Sequence, residues 1–149
     1  MDVYLVEKFF DMGFRMRQLP ELLPQLPEGF KPGYIRVLKS IYKCSQKQKV
    51  VRVSDISNIM NVTMPGITKI LGELEEKKLV KKLPVSEDGR LINLVLTPQG
   101  EKIVQKHITE YHSALAARLP QLSNEECEEA LKVFDAFYGA LLAQRQQDS

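Results

Sequence analysis

Residues 53–98 read VSDISNIMNVTMPGITKILGELEEKKLVKKLPVSEDGRLINLVLTP, and they carry the densest structural signals of the chain. Apolar residues at positions 67, 70, 71 and 74 have the spacing of one buried helical stripe. A shorter helix is predicted to begin at Ser54-Asp55. Asn61 suits a tight turn between the two helices because it tolerates the left-handed conformation. A short helix, a tight turn and a longer amphipathic helix form a helix-turn-helix.

The hydrophobic period changes from 3.6 to 2 after Leu79, which predicts two β-strands. The first covers residues 80–85, and the second contains the alternating residues 91–96. Ser86-Glu87-Asp88-Gly89 lies between them, and Asp-Gly is a strong hairpin signal. Thr97-Pro98 ends the second strand and starts another helix, with Thr97 as N-cap and Pro98 in the first turn. A hairpin directly after the longer helix of a helix-turn-helix is a wing.

The flanking segments are predicted to be helical, so the fold class is mainly α with a small β-hairpin wing. Residues 3–19 carry apolar side chains on two sides of a helix, which must be covered from two directions, and a second copy of the chain would do that. Four prolines interrupt residues 20–32, and a helix is expected from Pro32. Two long helices follow, one from Pro98 to about Leu119 and one starting at the capping-box spacing Ser123-x-x-Glu126.

Composition excludes several classes of protein. The 149 residues are 44% hydrophobic and 27% charged, which is ordinary for a soluble globular protein, and no apolar run approaches the ~18 residues of a membrane span. Cys44 and Cys127 lack the spacing of a zinc site or a disulfide framework and are interpreted as small buried hydrophobic residues. No secretory signal, nucleophile–base pair or dinucleotide motif is found. We therefore expect a cytoplasmic protein with no catalytic residues, no metal and no cofactor.

Charge is distributed unevenly along the chain. Residues 46–106 hold eleven Lys/Arg against seven Asp/Glu, whereas residues 107–149 hold three against seven. A basic middle followed by an acidic segment favours contact of the middle alone with a polyanion, although such charge runs are often only solvated faces.

The residues quoted above resemble the MarR-type winged helix-turn-helix transcriptional regulators. The likeness covers about residues 53–106 and includes the helix end Leu74-Glu75-Glu76, the wing motif Asp88-Gly89-Arg90, and the L-T-x-x-G sequence from Leu96 to Gly100. It implies a homodimer in which residues 1–31 and 99–149 form dimerisation helices and residues 32–98 form the DNA-binding domain. It also implies a pseudo-palindromic operator, most often bound by a repressor, and release by a small-molecule effector.

The predicted DNA-binding residues fall on the longer helix of the motif and on the wing. The start of the helix would face the major groove, where Thr68 and Lys69 match the family's contacting pair. Arg90 would enter the minor groove, held in place by Asp88, and the alternative is an exposed surface ion pair. Lys82 would contact phosphates. The full predicted set is Ser54, Thr63, Met64, Pro65, Gly66, Thr68, Lys69, Lys82, Asp88, Gly89 and Arg90.

The resemblance further implies an aromatic-acid or hydrophobic effector pocket lined by Phe14, Tyr34, His107 and Tyr111, each of which is equally explained as a core residue. Some relatives sense oxidants through a cysteine near the first helix, but residues 1–31 contain none. The main alternative function is a winged helix that docks proteins without binding DNA. A second alternative is a fragment of an enzyme with a winged dimerisation domain, which the absence of a cofactor motif disfavours.

Overall fold

The computed structural model describes residues 1–147 of the chain. These residues form two compact units, residues 1–109 and residues from 110 onward. The last two positions of the predicted dimerisation region, 148 and 149, lie outside the described residues. The elements of the first unit are α1 (Val3–Met16), α2 (Leu19–Leu22), α3 (Pro32–Ser45), α4 (Val53–Met60), α5 (Met64–Glu76), β1 (Val80–Pro84), β2 (Ile92–Leu96) and α6 (Pro98–Val104). A π-helix (Gln105–Glu110) follows α6, and only its last residue belongs to the second unit. The second unit contains α7 (Tyr111–Ala116) and α8 (Asn124–Gln147).

The core of the first unit lies where α3, α4, α5 and the hairpin meet. Full burial of an aliphatic side chain contributes about 1.5–3 kcal/mol relative to leaving it exposed. Burial of this apolar cluster therefore stabilises the packing of the helix-turn-helix against α3 and the hairpin. The predicted stripe of α5 is confirmed, since Ile67, Leu71 and Leu74 are fully buried and Ile70 packs against them. The other fully buried aliphatic residues are Val37, Leu38, Ile41, Val51, Ile56, Leu79, Val80 and Leu94.

Two antiparallel strands form the predicted wing. Val80 pairs with Leu96 at its base, and Pro84 pairs with Ile92 at its far end. The segment before α4 adds to the open edge of β2, because the Leu94 N–H donates to the Val51 carbonyl at 2.8 Å and the Asn93 side chain accepts from the Val51 N–H at 2.8 Å. These hydrogen bonds connect the hairpin to the segment that leads into the helix-turn-helix.

Helix capping follows the predicted local signals, with one change. Asn61 has the left-handed φ of 51°, and Thr63 and Thr97 accept hydrogen bonds from the N–H groups of Gly66 and Gly100. The change is at α4, which begins at Val53 and is capped by Asp55, whose carboxylate accepts from the Arg52 N–H at 2.8 Å. The predicted start at Ser54-Asp55 is therefore one residue late, and Arg52 is the N-cap residue.

The helix predicted from Pro98 to about Leu119 is not a continuous α-helix. It changes to a π-helix at Gln105–Glu110 and then resumes as α7, which ends at Ala116. The buried core also continues past position 98, the predicted end of the winged domain, since Val104 and Ile108 are 2% and 8% exposed. The predicted domain boundary at position 98 therefore does not coincide with the end of the hydrophobic core, which extends ten residues further, to Ile108.

The second unit begins α8 with the predicted capping box. The Ser123 N–H donates to the Glu126 carboxylate at 2.9 Å, and the Glu126 N–H donates to the Ser123 hydroxyl at 3.2 Å. The Ser123 hydroxyl also donates to the Glu126 carboxylate, at 2.8 Å, and the two bonds that the carboxylate accepts, from the Ser123 N–H first and the hydroxyl second, lower the pKa of Glu126. Apolar residues recur along α8 at alternating four- and three-residue spacing, which is typical of a helix packed lengthwise on another. Most of them are exposed: Cys127, Leu131, Phe134 and Tyr138, with Leu141 half-buried. No helix within residues 1–147 is long and apolar enough to cross a membrane.

Candidate nucleic-acid interface

The start of α5 presents a short polar and apolar surface to solvent. Thr63 is extended and caps the helix, its hydroxyl oxygen accepting from the Gly66 N–H at 3.4 Å, and Pro65 lies in the first turn. Because Ile67 points into the core, Thr68 and Lys69 lie on the opposite, exposed side of the helix. Met64 is 46% exposed beside them. The predicted contact residues of α5 thus share one accessible end of the helix.

Thr68 and Lys69 differ in the hydrogen bonds and ion pairs that their side chains already form within the protein. The Thr68 hydroxyl donates to the Met64 carbonyl at 2.9 Å, which leaves its oxygen lone pairs open to a donor. Lys69 forms no salt bridge within residues 1–147, so its three N–H donors can reach an acceptor outside the chain. Ser54 is also exposed, in the first turn of α4.

The tip of the wing holds Arg90 by its backbone and its side chain. Asp88 accepts hydrogen bonds from the Ser86 hydroxyl at 2.6 Å and the Arg90 N–H at 3.1 Å, and these bonds hold the pKa of the Asp88 carboxyl below its usual range. Its second oxygen lies 3.4 Å from Arg90 Nε, while the Arg90 side chain is 89% exposed. Gly89, with φ of 67°, allows the turn between them. Asp88 therefore orients the guanidinium and leaves most of it accessible.

Lys82 occupies a different setting from the other predicted contacts. Its ammonium lies 2.9 Å from the Glu75 carboxylate, and its side chain is 28% exposed. This pair joins β1 to the end of α5. Lys81, the neighbouring residue of β1, is exposed and points to the other face of the strand.

A polar cluster behind α5 was missed by sequence reasoning. The hydroxyl of Tyr34 on α3 donates to the Glu73 carboxylate of α5, and Lys31 Nζ lies 3.0 Å from the same oxygen. Tyr34 first and Lys31 second hold the pKa of Glu73 below its usual range. Phe30 packs edge-on against the Tyr34 ring, with centroids 5.8 Å apart. No short-range pattern links residues 39 positions apart, so only the fold shows that α3 anchors the rear of α5.

Replacing Tyr34 with phenylalanine should reduce the acid sensitivity of the fold. A carboxyl with a lowered folded pKa stabilises the protein above its unfolded pKa of ~4.3, and this contribution is lost as pH falls through the folded pKa. Tyr34→Phe removes the largest cause of the lowered pKa of Glu73. Urea unfolding at neutral pH and at several acidic pH values should therefore show a smaller loss between neutral and acid in Tyr34→Phe. The exposed Tyr42→Phe is the control, and equal pH dependence in all three proteins would contradict the prediction.

The predicted effector residues lie in different settings. Tyr34 is 3% exposed and belongs to the core, whereas Phe14 on α1 is 64% exposed. His107 is half-buried in the π-helix of the first unit, and Tyr111 is half-buried in the second. The effector pocket stays a prediction.

The two cysteines also differ from each other. Cys44 is half-buried, and burial raises the pKa of its thiol. Cys127 is exposed, so its interpretation as a buried hydrophobic residue was wrong. Within 124–147, α8 has no buried residue, so position 127 has no core to enter.

Comparison with known proteins identifies the architecture. A family model described as "Iron dependent repressor, N-terminal DNA binding domain" matches residues 35–86. The transcriptional repressor MdtR of Bacillus subtilis is 28% identical over 115 residues, which are 76% of this chain and 72% of MdtR. A MarR family protein from Bacillus stearothermophilus has a TM-score of 0.65 at 20% identity, covering 95% of this chain and 99% of its own. This chain is a winged helix-turn-helix transcription regulator with the MarR-type fold.

A DNA complex is among the structures of this MarR-type fold. Staphylococcus aureus MepR bound to DNA has a TM-score of 0.60 at 21% identity, covering 93% of this chain and 91% of MepR. At such identities the structural likeness establishes the fold. Although the matching family model is named for iron, residues 1–147 contain no group of three or more His, Cys, Asp or Glu side chains that could hold a metal ion.

Proposed function

We propose that this chain is a repressor that binds a pseudo-palindromic operator as a homodimer. In each half-site, α5 would lie in the major groove and Arg90 in the adjacent minor groove, with half-sites about one helical turn apart. The single observation that carries the proposal is the wing tip, where Asp88 holds an Arg90 side chain that is 89% exposed. A guanidinium that is oriented but not buried is suited to the narrow, negative minor groove of A·T-rich DNA.

Selection of bound genomic fragments tests this function directly. Fragments recovered by the purified protein should share a two-fold related sequence. Gel shifts should then show tighter binding to a duplex with both half-sites than to a scrambled duplex of the same length, at one fixed salt concentration. Equal affinity for the two duplexes would contradict sequence-specific regulation by this chain.

Exposed apolar side chains on the terminal helices support the homodimer. On α1, Val3 is 77% exposed and Phe14 is 64% exposed, and on α8, Leu131 is 64% exposed. Soluble monomers rarely leave contiguous apolar surface larger than a few hundred Å² open to water. We propose that a second copy covers these residues, as the two apolar sides of residues 3–19 predict.

The dimer should be sensitive to a charge on α1. Phe14→Glu should shift the sedimenting species at micromolar concentration from twice 17.0 kDa to 17.0 kDa, because a carboxylate in an apolar interface is desolvated without a partner. Gln18→Glu adds the same charge at an exposed position outside α1 and should leave the dimer intact. A wild-type species of 17.0 kDa, or a Phe14→Glu variant that remains dimeric, would contradict this arrangement.

One observation favours a second candidate function, a wing that docks a protein. Leu83 and Val85 are 45% and 48% exposed on the hairpin, and exposed apolar side chains are typical of protein-binding surfaces. This alternative gives Arg90 no DNA to contact, so the Arg90 variant described in the Discussion separates the two functions.

A further inference from the structure

A surface groove of about 710 Å³ runs between α3 and α4 and carries a concentration of positive charge. Four basic residues line it, and together they are termed the basic groove: Arg36, Lys39, Lys43 and Lys47. Ile59 and Met60 of α4 contribute an apolar part of the lining. None of the DNA-binding residues predicted from the sequence lies in this groove.

The basic groove has the geometry of a row. Positions 36, 39 and 43 are spaced by three and four residues and therefore lie along one face of α3, away from the buried Val37 and Ile41. A helix rises ~1.5 Å per residue, so neighbouring charges are ~5 Å apart along the axis. Lys47 extends the row past the end of α3, where its N–H donates to the Cys44 carbonyl at 2.9 Å. Each strand of duplex DNA presents one phosphate per ~3.4 Å along the axis of the double helix, a spacing of the same order.

Salt bridges within residues 1–147 do not neutralise the basic side chains of the groove. None of the four basic residues forms a salt bridge within residues 1–147. Asp55 is the acidic residue of the lining, and one of its oxygens already accepts from the Arg52 N–H and the Gln48 amide, both at 2.8 Å. The groove therefore offers one guanidinium and three ammonium groups to an anionic partner.

We propose that the basic groove binds phosphates of the DNA backbone and adds sequence-independent affinity to the contacts of α5 and the wing. Continuity with the helix-turn-helix supports DNA as the occupant, because α4 is both the first helix of that motif and one wall of the groove. The exposed Ile59 provides an apolar surface for deoxyribose beside the charged row. The proposal rests on the proposed function, since it assumes that α5 and the wing place the chain on a duplex.

The test removes two charges from the middle of the row. Lys39→Ala/Lys43→Ala should lose ~10- to 100-fold in affinity at low salt for the operator duplex and by a similar factor for a scrambled duplex of equal length. The slope of log affinity against log salt should become shallower by ~0.9 per lost phosphate contact. The matched control is Lys8→Ala/Lys132→Ala, which removes two exposed lysines of α1 and α8 and causes the same change in net charge.

The outcomes separate this inference from the proposed function. If wild type fails to prefer the operator over the scrambled duplex, the proposed function is wrong and this inference fails with it. If wild type does prefer the operator but the groove and control variants bind alike, only the groove inference is overturned. A groove variant that loses the dimer in sedimentation would also overturn it, because the occupant would then be an acidic segment of a second copy, such as Glu125–Glu129.

Discussion

Replacing Arg90 with alanine should weaken operator binding by a few kcal/mol in total, because the proposed dimer would lose two inserted guanidinium groups and each specific contact of this kind is worth ~1–3 kcal/mol. The log–log salt slope should become shallower by ~1 to 2 units, at ~0.9 per phosphate-equivalent charge. The loss should be larger when A·T-rich sequence flanks the half-sites, since a narrow minor groove has the more negative potential. Gel shifts across a salt series on A·T- and G·C-flanked operators measure all three effects.

Two variants of α5 provide the comparison for Arg90. Thr68→Ala and Lys69→Ala should weaken binding by an amount that does not depend on the flanks, because their side chains lie on the exposed start of α5 and not on the wing. All three variants should fold, since each replaced side chain is exposed. An Arg90→Ala protein that binds as well as wild type at every salt concentration would show that the wing does not read DNA. Protein docking by the wing would then become the leading function.

Gly100→Ala should be the most destabilising glycine-to-alanine change in the first unit. A Cβ at position 100 would lie 2.2 Å from the Leu79 carbonyl oxygen, which is backbone and cannot rotate away. The same carbonyl accepts from the Thr97 N–H at 3.0 Å, and the Thr97 hydroxyl donates to the Lys78 carbonyl at 2.7 Å, so the start of α6 is fixed against this turn. We expect a loss of about 3 kcal/mol in the free energy of unfolding, at the upper end of overpacking effects.

A second helical glycine provides the control. Gly72 lies in the interior of α5, and a Cβ there would meet no atom within 4 Å outside its own helix. Gly72→Ala should therefore stabilise the protein by about 0.5–1 kcal/mol, because alanine loses less backbone entropy on folding. Urea midpoints of both variants against wild type measure the difference. A Gly100→Ala midpoint equal to that of wild type would contradict the close approach of α6 to Leu79.

The winged helix-turn-helix could be predicted because its signals act over a few residues. Thr63 and Thr97 cap helices by bonding N–H groups three positions later, and Asn61 meets the left-handed turn by its own conformational tolerance. The buried face of α5 follows from helix geometry, because residues three and four positions apart lie on the same side of a helix. Helical spacing likewise predicted apolar side chains on two sides of α1. One neighbouring element cannot cover both sides, so part of this apolar surface is exposed.

Contacts between distant segments required the tertiary structure. The Tyr34–Glu73 hydrogen bond joins residues 39 positions apart, and the approach of Gly100 to Leu79 depends on how the start of α6 packs against the turn between α5 and β1. The change to a π-helix at Gln105–Glu110 is likewise absent from the sequence pattern, whose apolar spacing predicts one continuous α-helix. The basic groove exists only because α3 packs against α4, which supplies a second wall beside the charged row of α3. Sequence alone determined the helix-turn-helix, the hairpin and the buried face of α5, because those depend on neighbours within about four residues. The tertiary structure decided which polar groups meet, because such contacts depend on how the elements are packed in space.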